Sequence, residues 1–331
     1  MPITRRALTA LLFSIACNFT ASPDAAEAGN LQELRIDYAT YNPLSLVLKE
    51  KGILEKLFAN EGIAVRFVQS QGSNKALEFL NAGAIDIGST AGSAALVACV
   101  NGNPIKAVYV YSRPEWTALV TRKDSGITKL TDLKGKRVAA TRGTDAHIFL
   151  VQALGTAGLT EKDIKLVPLQ HGDGRIALDR GDVDAWAGLD PMMAASELEN
   201  GDVLFYRNAE ANSWGVLDVR EDFAKQHPDV VAKVLSGYEE ARRWALANPR
   251  AFKDIIVAFT RLPAPVIDRQ IDTRTDLTHN AIGDDQRRSI VAAGRALQSA
   301  GILPQGVDVN AAAESLVDAH FFDAAEADAA R

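Results

Sequence analysis

From residue 30 onward, apolar positions switch repeatedly between a period near two and a period near 3.6. Short alternating or apolar runs at 34–40 (LRIDYAT), 63–69 (IAVRFVQ), 84–89 (AIDIGS) and 105–111 (IKAVYVY) predict strands. Between them, 43–58, 74–83 and 91–102 carry helical spacing, and Gly83, Gly102 and Gly158 stand where helices would stop. The pattern restarts at 116–122 and 137–141 as strands, with a helix over 145–157 and a strand over 164–169. A short helix at 174–181, a strand at 183–189, a helix at 191–201 and a strand at 202–206 follow. After a strand at 214–220 the chain turns helix-rich, with segments at 228–248, 249–260, 263–271 and 284–301, each opening on Pro or Asp. Strand–helix alternation of this kind predicts parallel sheets covered by helices, repeated as two α/β units with a helical tail.

The first 28 residues break this pattern. Arg5 and Arg6 precede an apolar stretch from Ala7 to Cys17, and Ala26-Glu27-Ala28 fits a small-x-small cleavage rule, so residues 1–28 are expected to be a secretory signal peptide. The stretch is shorter than the ~20 residues a membrane-spanning helix needs. Ser14-Ile15-Ala16-Cys17 loosely resembles a lipoprotein box, and lipid anchoring at Cys17 is the less favoured alternative. Cleavage at 28 would leave Cys99 alone, so no internal disulfide is expected and Cys99 is expected to sit in the core. At 47% hydrophobic and 24% charged residues, the chain has the makings of an ordinary globular core. Acidic and basic residues are interspersed to a net charge of −6, which leaves no basic footprint for nucleic acid.

In open α/β sheets a ligand sits beyond the carboxyl ends of the strands. The loops there are 40–43 (TYNP), 69–74 (QSQGSN), 88–93 (GSTAGS), 141–147 (TRGTDAH) and 188–191 (GLDP). GSTAGS and RGTDAH each place Gly and hydroxyl residues directly before a helix, where free N–H groups and the helix dipole suit a small anion. Ser89, Thr90 and Ala91 on one, and Thr144, Asp145, Ala146 and His147 on the other, are therefore candidate ligand contacts. Ordinary N-capping is the competing explanation for their hydroxyl groups. Tyr41 and Asn42 at the first strand end, Trp186 and Asp190 of VDAWAGLDP, and Trp214 complete the candidate set. Trp186 would equally serve as core, and Asp190 as a helix cap. The His residues show no close i, i+4 pair, no CxxC occurs, and GDG at 172–174 lacks the ligands of a calcium loop, so no metal or cofactor is expected.

The segments ALEFLNAGAIDIGSTAG, LTDLKGKRVAATRGTDAH, ALDRGDVDAWAGLDP and LPAPVI give the chain, from about 34 to 320, a resemblance to a known family. It resembles periplasmic substrate-binding proteins of ABC importers, in the branch that binds aliphatic sulfonates, taurine and nitrate. The resemblance implies an α/β, two-lobed periplasmic binding protein fold of type II, with two mixed or parallel sheets and an interlobe cleft. It implies that 29–115 plus 217–331 form lobe 1, that 116–216 form lobe 2, and that the lobes close on a ligand. The expected ligand is a small organic anion, an aliphatic sulfonate, and the expected partner is an ABC permease in the inner membrane. Binding of taurine, nitrate or a pyrimidine precursor is the alternative within the family. A periplasm-located monomer without enzymatic activity is expected; a periplasmic enzyme using His147 and Asp145 is the alternative of another class. Asp145 stands where the family usually has a small hydroxyl or amide residue, so Arg142, a positively charged ligand group or an outward orientation is expected to offset its charge.

Overall fold

The computed structural model describes residues 31–323; residues 1–28, expected to be a signal peptide, and Cys17 within them lie outside these. The first half runs β1 (Glu33–Tyr38), α1 (Pro43–Lys51), α2 (Ile53–Phe58), β2 (Ala64–Gln69), α3 (Ser73–Asn81), β3 (Ile87–Ala91), α4 (Gly92–Val100) and β4 (Ile105–Pro114). The middle of the chain adds β5 (Leu119–Thr121), β6 (Arg137–Ala140), α5 (Asp145–Thr156), β7 (Lys165–Pro168), α6 (His171–Arg180), β8 (Ala185–Ala187), α7 (Met192–Ala195) and β9 (Val203–Tyr206). The return comprises β10 (Gly215–Arg220), α8 (Glu221–Gln226), α9 (Pro228–Ala247), α10 (Pro249–Thr260), α11 (Ala264–Arg274), β11 (Thr275–Asp276), α12 (Asp284–Ser299) and α13 (Val309–Leu316).

Two sheets result. One has the order β11-β4-β10-β3-β1-β2 and the other β7-β6-β8-β5-β9. β2, β1 and β3 are parallel, as are β7, β6 and β8. In the first sheet β10, between β3 and β4, and the short edge strand β11 run against the others; in the second, β5 runs against β8 and β9. The fold is therefore α/β, two-lobed and mixed-sheet. The alternating pattern predicted the parallel parts but not the antiparallel strands, because direction is set by the route between sheets rather than by periodicity.

Other differences are local. The expected helix 43–58 is two, because Gly52 adopts φ 59° and both ends α1 and precedes α2. Helices α8 and α13 and the short β11 were not anticipated. Cys99 is only half-buried near the end of α4, not enclosed in the core. The predicted starts of α1 and α9 hold: Pro43 and Pro228 occupy the first turns, and Asn42 Oδ1 accepts from Ser45 N.

The first sheet and its helices share one core containing Leu34, Ile36, Tyr109, Val216 and Tyr238, and this core also takes in Ile148 and Val151 of α5. The second sheet is buried on both faces, by Phe149, Leu150 and Leu154 on one side and by Leu178, Trp186 and Met193 on the other. The two crossings between sheets are laced together. Thr117 N donates to Asn212 Oδ1 at 2.9 Å, Asn212 Nδ2 returns a bond to Thr117 O at 3.2 Å, and Arg207 grips Glu115 through two contacts of 2.8 and 2.7 Å. α11 ties the sheets from the side: Arg274, itself buried, reaches Asp190 at 3.1 Å and Glu197 at 2.6 Å.

Beneath the strand ends of the first sheet lie two buried carboxylates. Asp37 accepts from Ser70 Oγ, Ser89 N and Ser89 Oγ, and Asp218 Oδ2 accepts from Thr90 Oγ1 at 2.6 Å while Oδ1 has no partner. Burial pushes Asp37 up to about 7 and Asp218 up to about 8, the hydrogen bonds only partly opposing it. The unfolded Asp218 carboxyl releases its proton near 3.8, so between there and about 8 the native state holds a proton the unfolded chain has lost. The stability contributed by the protonated form is complete below that window and is lost as pH rises through it. Asp218→Asn, which mimics the protonated acid, is expected to raise the unfolding free energy at pH 9 by at least ~1 kcal/mol and to change it little at pH 4. Urea unfolding at the two pH values checks this; an equal effect at both would refute the buried-acid assignment.

Candidate ligand-binding site

The two helix starts singled out by sequence do not form an open anion site. Ser89 Oγ donates to both carboxylate oxygens of Asp37 at 2.8 Å, Thr90 is bound to Asp218, and Ala91 N donates to Ser73 Oγ at 3.0 Å. Thr144 stands at the N-cap of α5 but turns its Oγ1 back to Thr141 O at 2.7 Å. Asp145 is the centre of this region. Its Oδ1 accepts from Ser93 Oγ at 2.6 Å at the start of α4, and its Oδ2 accepts from Trp116 Nε1 at 2.8 Å and Ser213 N at 3.0 Å. The chain thus supplies its own carboxylate to the α4 start, from the first residue of α5. Burial raises the Asp145 pKa, and the bonds from Ser93, Trp116 and Ser213 work against that rise.

The other candidates are also engaged elsewhere. Ala146 and Trp186 are fully buried in the second sheet's two cores. His147 Nε2 lies 2.6 Å from Glu161 Oε1, and Arg142 faces the same carboxylate at 3.6 Å instead of offsetting Asp145. Asp190 accepts from Ala194 N and pairs with Arg274; the N-cap of α7 is Pro191. Trp214 packs edge-on to His279 under the Arg113 guanidinium, and Asn42 Nδ2 donates to Tyr238 Oη at 3.1 Å. Of the twelve candidates, only Tyr41 lines the cavity described next.

That cavity, of about 290 Å³, is lined by Thr40, Tyr41, Gln69, Ser70 and Gln71 from the first sheet's side, and by Gln170, His171, Gly172, Asp173, Leu189 and Met192 from the second's. Every lining loop follows the carboxyl end of a parallel strand: β1 and β2 in one sheet, β7 and β8 in the other. This is where an open α/β sheet presents its ligand site. Three of the loops, 40–43, 69–74 and 188–191, are among those the sequence places at strand ends. The fourth, after β7, is not, because Gly172 and Gly174 weigh against a helix there and the predicted helix begins only at 174.

Two helices point their amino ends at this region. α3 starts behind Gly72 and α6 behind Gln170, and neither has a side chain capping its first turn. At the α6 start the first bond is Gly174 N to Gln170 O, which leaves the N–H groups of 171–173 free of helical partners. The halves meet closely here: a Cβ on Gly72 (φ +153°) would stand 3.2 Å from His171 Nε2 and 2.8 Å from Asn74 Oδ1. His171 is 1% exposed, and neither ring nitrogen has a hydrogen-bond partner; Gln170 Oε1 and Asn74 Oδ1 are unpartnered too. Burial drives the His171 pKa down to about 3, so its ring is neutral at pH 7. No Lys or Arg lines the cavity, and its one charged residue is the exposed Asp173.

Relatives agree with this architecture. The profile of the NMT1/THI5-like family matches residues 47–252. The chain belongs to that family. It is 30% identical over 278 residues to a candidate aliphatic sulfonates-binding protein of Escherichia coli K12, covering 83% of this chain and 85% of that one. Among solved structures, the periplasmic aliphatic sulphonate-binding protein of Escherichia coli superposes with a TM-score of 0.72 at 26% identity, over 87% of this chain and 92% of that one. The alkanesulfonate-binding protein of Xanthomonas axonopodis pv. citri bound to MOPS superposes with a TM-score of 0.78 at 24% identity, over 87% and 98%.

Within this family member the Asp145 cluster has a structural consequence that can be measured. Asp145→Ala strands the Ser93 hydroxyl, the Trp116 indole N–H and the Ser213 amide in a buried space, each at a cost of ~1–3 kcal/mol less what relaxation recovers. The unfolding free energy is expected to fall by about 2–4 kcal/mol. A fall under ~0.5 kcal/mol in urea unfolding would show that the carboxylate does not hold these elements together.

Proposed function

We propose that the chain is an exported solute-binding protein that captures a small organic anion, an aliphatic sulfonate, and hands it to an ABC permease. The observation that carries this reading is the cavity between the strand ends of both sheets, with the uncapped α6 start and the unpartnered His171 at its wall. Free N–H groups and the positive end of the helix dipole suit an anion. A cavity of about 290 Å³ suits a ligand of a few heavy atoms. The sulfonate-binding relatives direct the choice among anions.

In this reading residues 1–28 are a signal peptide and the protein works in the periplasm. Residues 29–115 with 217–331, and residues 116–216, act as two lobes hinged at the laced crossings around Thr117 and Asn212. A ligand that touches both lobes binds the closed arrangement more tightly than the open one and shifts the population towards closure. The permease reads the closed form. A catalytic role for His147 and Asp145 draws no support from their positions, since each is bound to other partners and neither lines the cavity.

A thermal-shift titration of the purified chain tests this. Ethanesulfonate or a longer alkanesulfonate at 100 times its dissociation constant adds about 2.7 kcal/mol, enough to raise the midpoint by several degrees. Gly72→Val, whose branched side chain would collide with His171 and keep α6 from seating, is expected to cut that affinity at least ~10-fold with the fold intact by circular dichroism. A midpoint that moves with nitrate or a pyrimidine precursor and stays put with every sulfonate overturns the assignment. Unchanged affinity in the Gly72 variant moves the site elsewhere.

A further inference from the structure

We infer that His171 selects the ligand's second polar group: its ring accepts a hydrogen bond from a hydroxyl or amine carried on the tail of the sulfonate. The inference rests on the sulfonate reading above and deepens it. His171 opens α6, lines the cavity, is 1% exposed, and has both ring nitrogens unpartnered. A neutral imidazole carries one N–H donor and one bare nitrogen acceptor. A sulfonate offers acceptor oxygens only, so it can satisfy the ring's donor but never its acceptor. The bare nitrogen needs a donor, and a buried polar atom left without one is costly.

The surroundings ask for the same thing. Gln170 Oε1 is a second buried acceptor without a partner at the same helix start. Asp173, on the next turn position, presents a carboxylate at the exposed rim. From the other sheet's side the polar groups are Thr40, Gln69 and Gln71 together with Tyr41 and Ser70, whose hydroxyls lie 2.9 Å from each other and are committed to Ser89 O and Asp37. Leu189 and Met192 are the cavity's apolar liners beyond the Tyr41 ring. The free N–H groups of the α6 start hold the anionic head, and His171 with Gln170 reads the tail. A site built to pair a ligand hydroxyl or amine discriminates strongly against an analogue that lacks it, because the site's own polar atoms are then stranded.

Isothermal titration with two probes of equal heavy-atom count tests the inference: 2-hydroxyethanesulfonate and 1-propanesulfonate. The wild-type chain is expected to bind the hydroxyl compound at least ~10-fold more tightly. His171→Phe keeps the ring volume and removes both nitrogens. It is expected to erase or invert that ratio while still binding 1-propanesulfonate, with a melting temperature of the unliganded chain no lower than that of the wild type. His171→Gln, which retains a donor and an acceptor, is expected to keep part of the preference, and it serves as the decisive variant should the Phe variant misfold. Equal binding of the two probes by the wild type, or an undiminished ratio in the folded His171 variant, overturns the proposal. Binding of neither probe by the wild type overturns the sulfonate reading itself, and this proposal with it.

Discussion

The structure turns on one carboxylate. Asp145 is the first residue of α5, and its side chain gathers donors from the start of α4, from Trp116 on one crossing and from Ser213 on the other. No cation lies among these partners; three hydrogen bonds alone compensate a charge in a medium that resists it. Such an arrangement tolerates no loosening, because each lost donor exposes more uncompensated charge. It therefore fixes α5 against the first sheet's helices at the point where both crossings pass. Ile148 and Val151, one and two turns further along the same helix, follow into the first core. α5 belongs to the second sheet by connection and to the first by packing.

This constraint bears on where the proposed ligand sits. With Asp145 at the α4 start, the space an anion would take there is filled by the chain's own anion. An open cavity lies instead at the strand-end loops where α3 and α6 begin. Their exact placement depends on packing far from the cavity. Gly174 lets α6 lie directly on Trp186, since a Cβ there would come within 2.7 Å of the indole nitrogen. Trp186 thus shapes the site without touching it, as the platform that sets the height of His171. The Arg274–Asp190 pair performs a comparable service for the loop that brings Leu189 and Met192 to the wall.

Much of the fold was legible in the sequence because strand and helix periods and Gly stops are local signals. The order of elements from 34 to 299 follows them almost throughout, and the family segments extend that to two lobes. What periodicity does not carry is strand direction: the strands at 116–122 and 214–220 are legible, but the antiparallel course of β5 and β10 is not. The candidate cavity lies where the sequence placed the ligand loops, at the carboxyl ends of the strands, but most of the residues singled out there do not line it. Ser89, Thr90 and Thr144 have the hydroxyl-before-helix pattern of an anion site, but the same pattern serves a buried acid equally well, and here Asp37 and Asp218 take the hydroxyls of Ser89 and Thr90. Asp145 looked like an obstacle to an anion because its three donors come from residues distant in sequence. His171 escaped notice for the opposite reason: Gly172 and Gly174 made the α6 start look like a loop, and tertiary packing on Trp186 overrides that propensity.

The cavity's charge balance narrows what it accepts. A lining with no Lys or Arg must stabilise an anion through partial charges alone: the free amides and dipole of α6 and the neutral side-chain donors of residues such as Thr40, Gln69 and Gln71. Each contributes modestly, ~0.3–1 kcal/mol when exposed and more when desolvated. A strongly hydrated dianion would lose more on entering than these groups return. A singly charged sulfonate, with its charge spread over three oxygens, asks less of them. The surplus acceptors on the same wall, His171, Gln170 and Asp173, would repel a second anionic group and welcome a donor. The α6 start therefore combines free backbone donors with the unpartnered side-chain acceptors of His171 and Gln170. A ligand of the proposed kind, anionic at its head and hydrogen-bond donating along its tail, complements both, and a lining built only to admit alkyl chains would have no use for an imidazole buried without a partner.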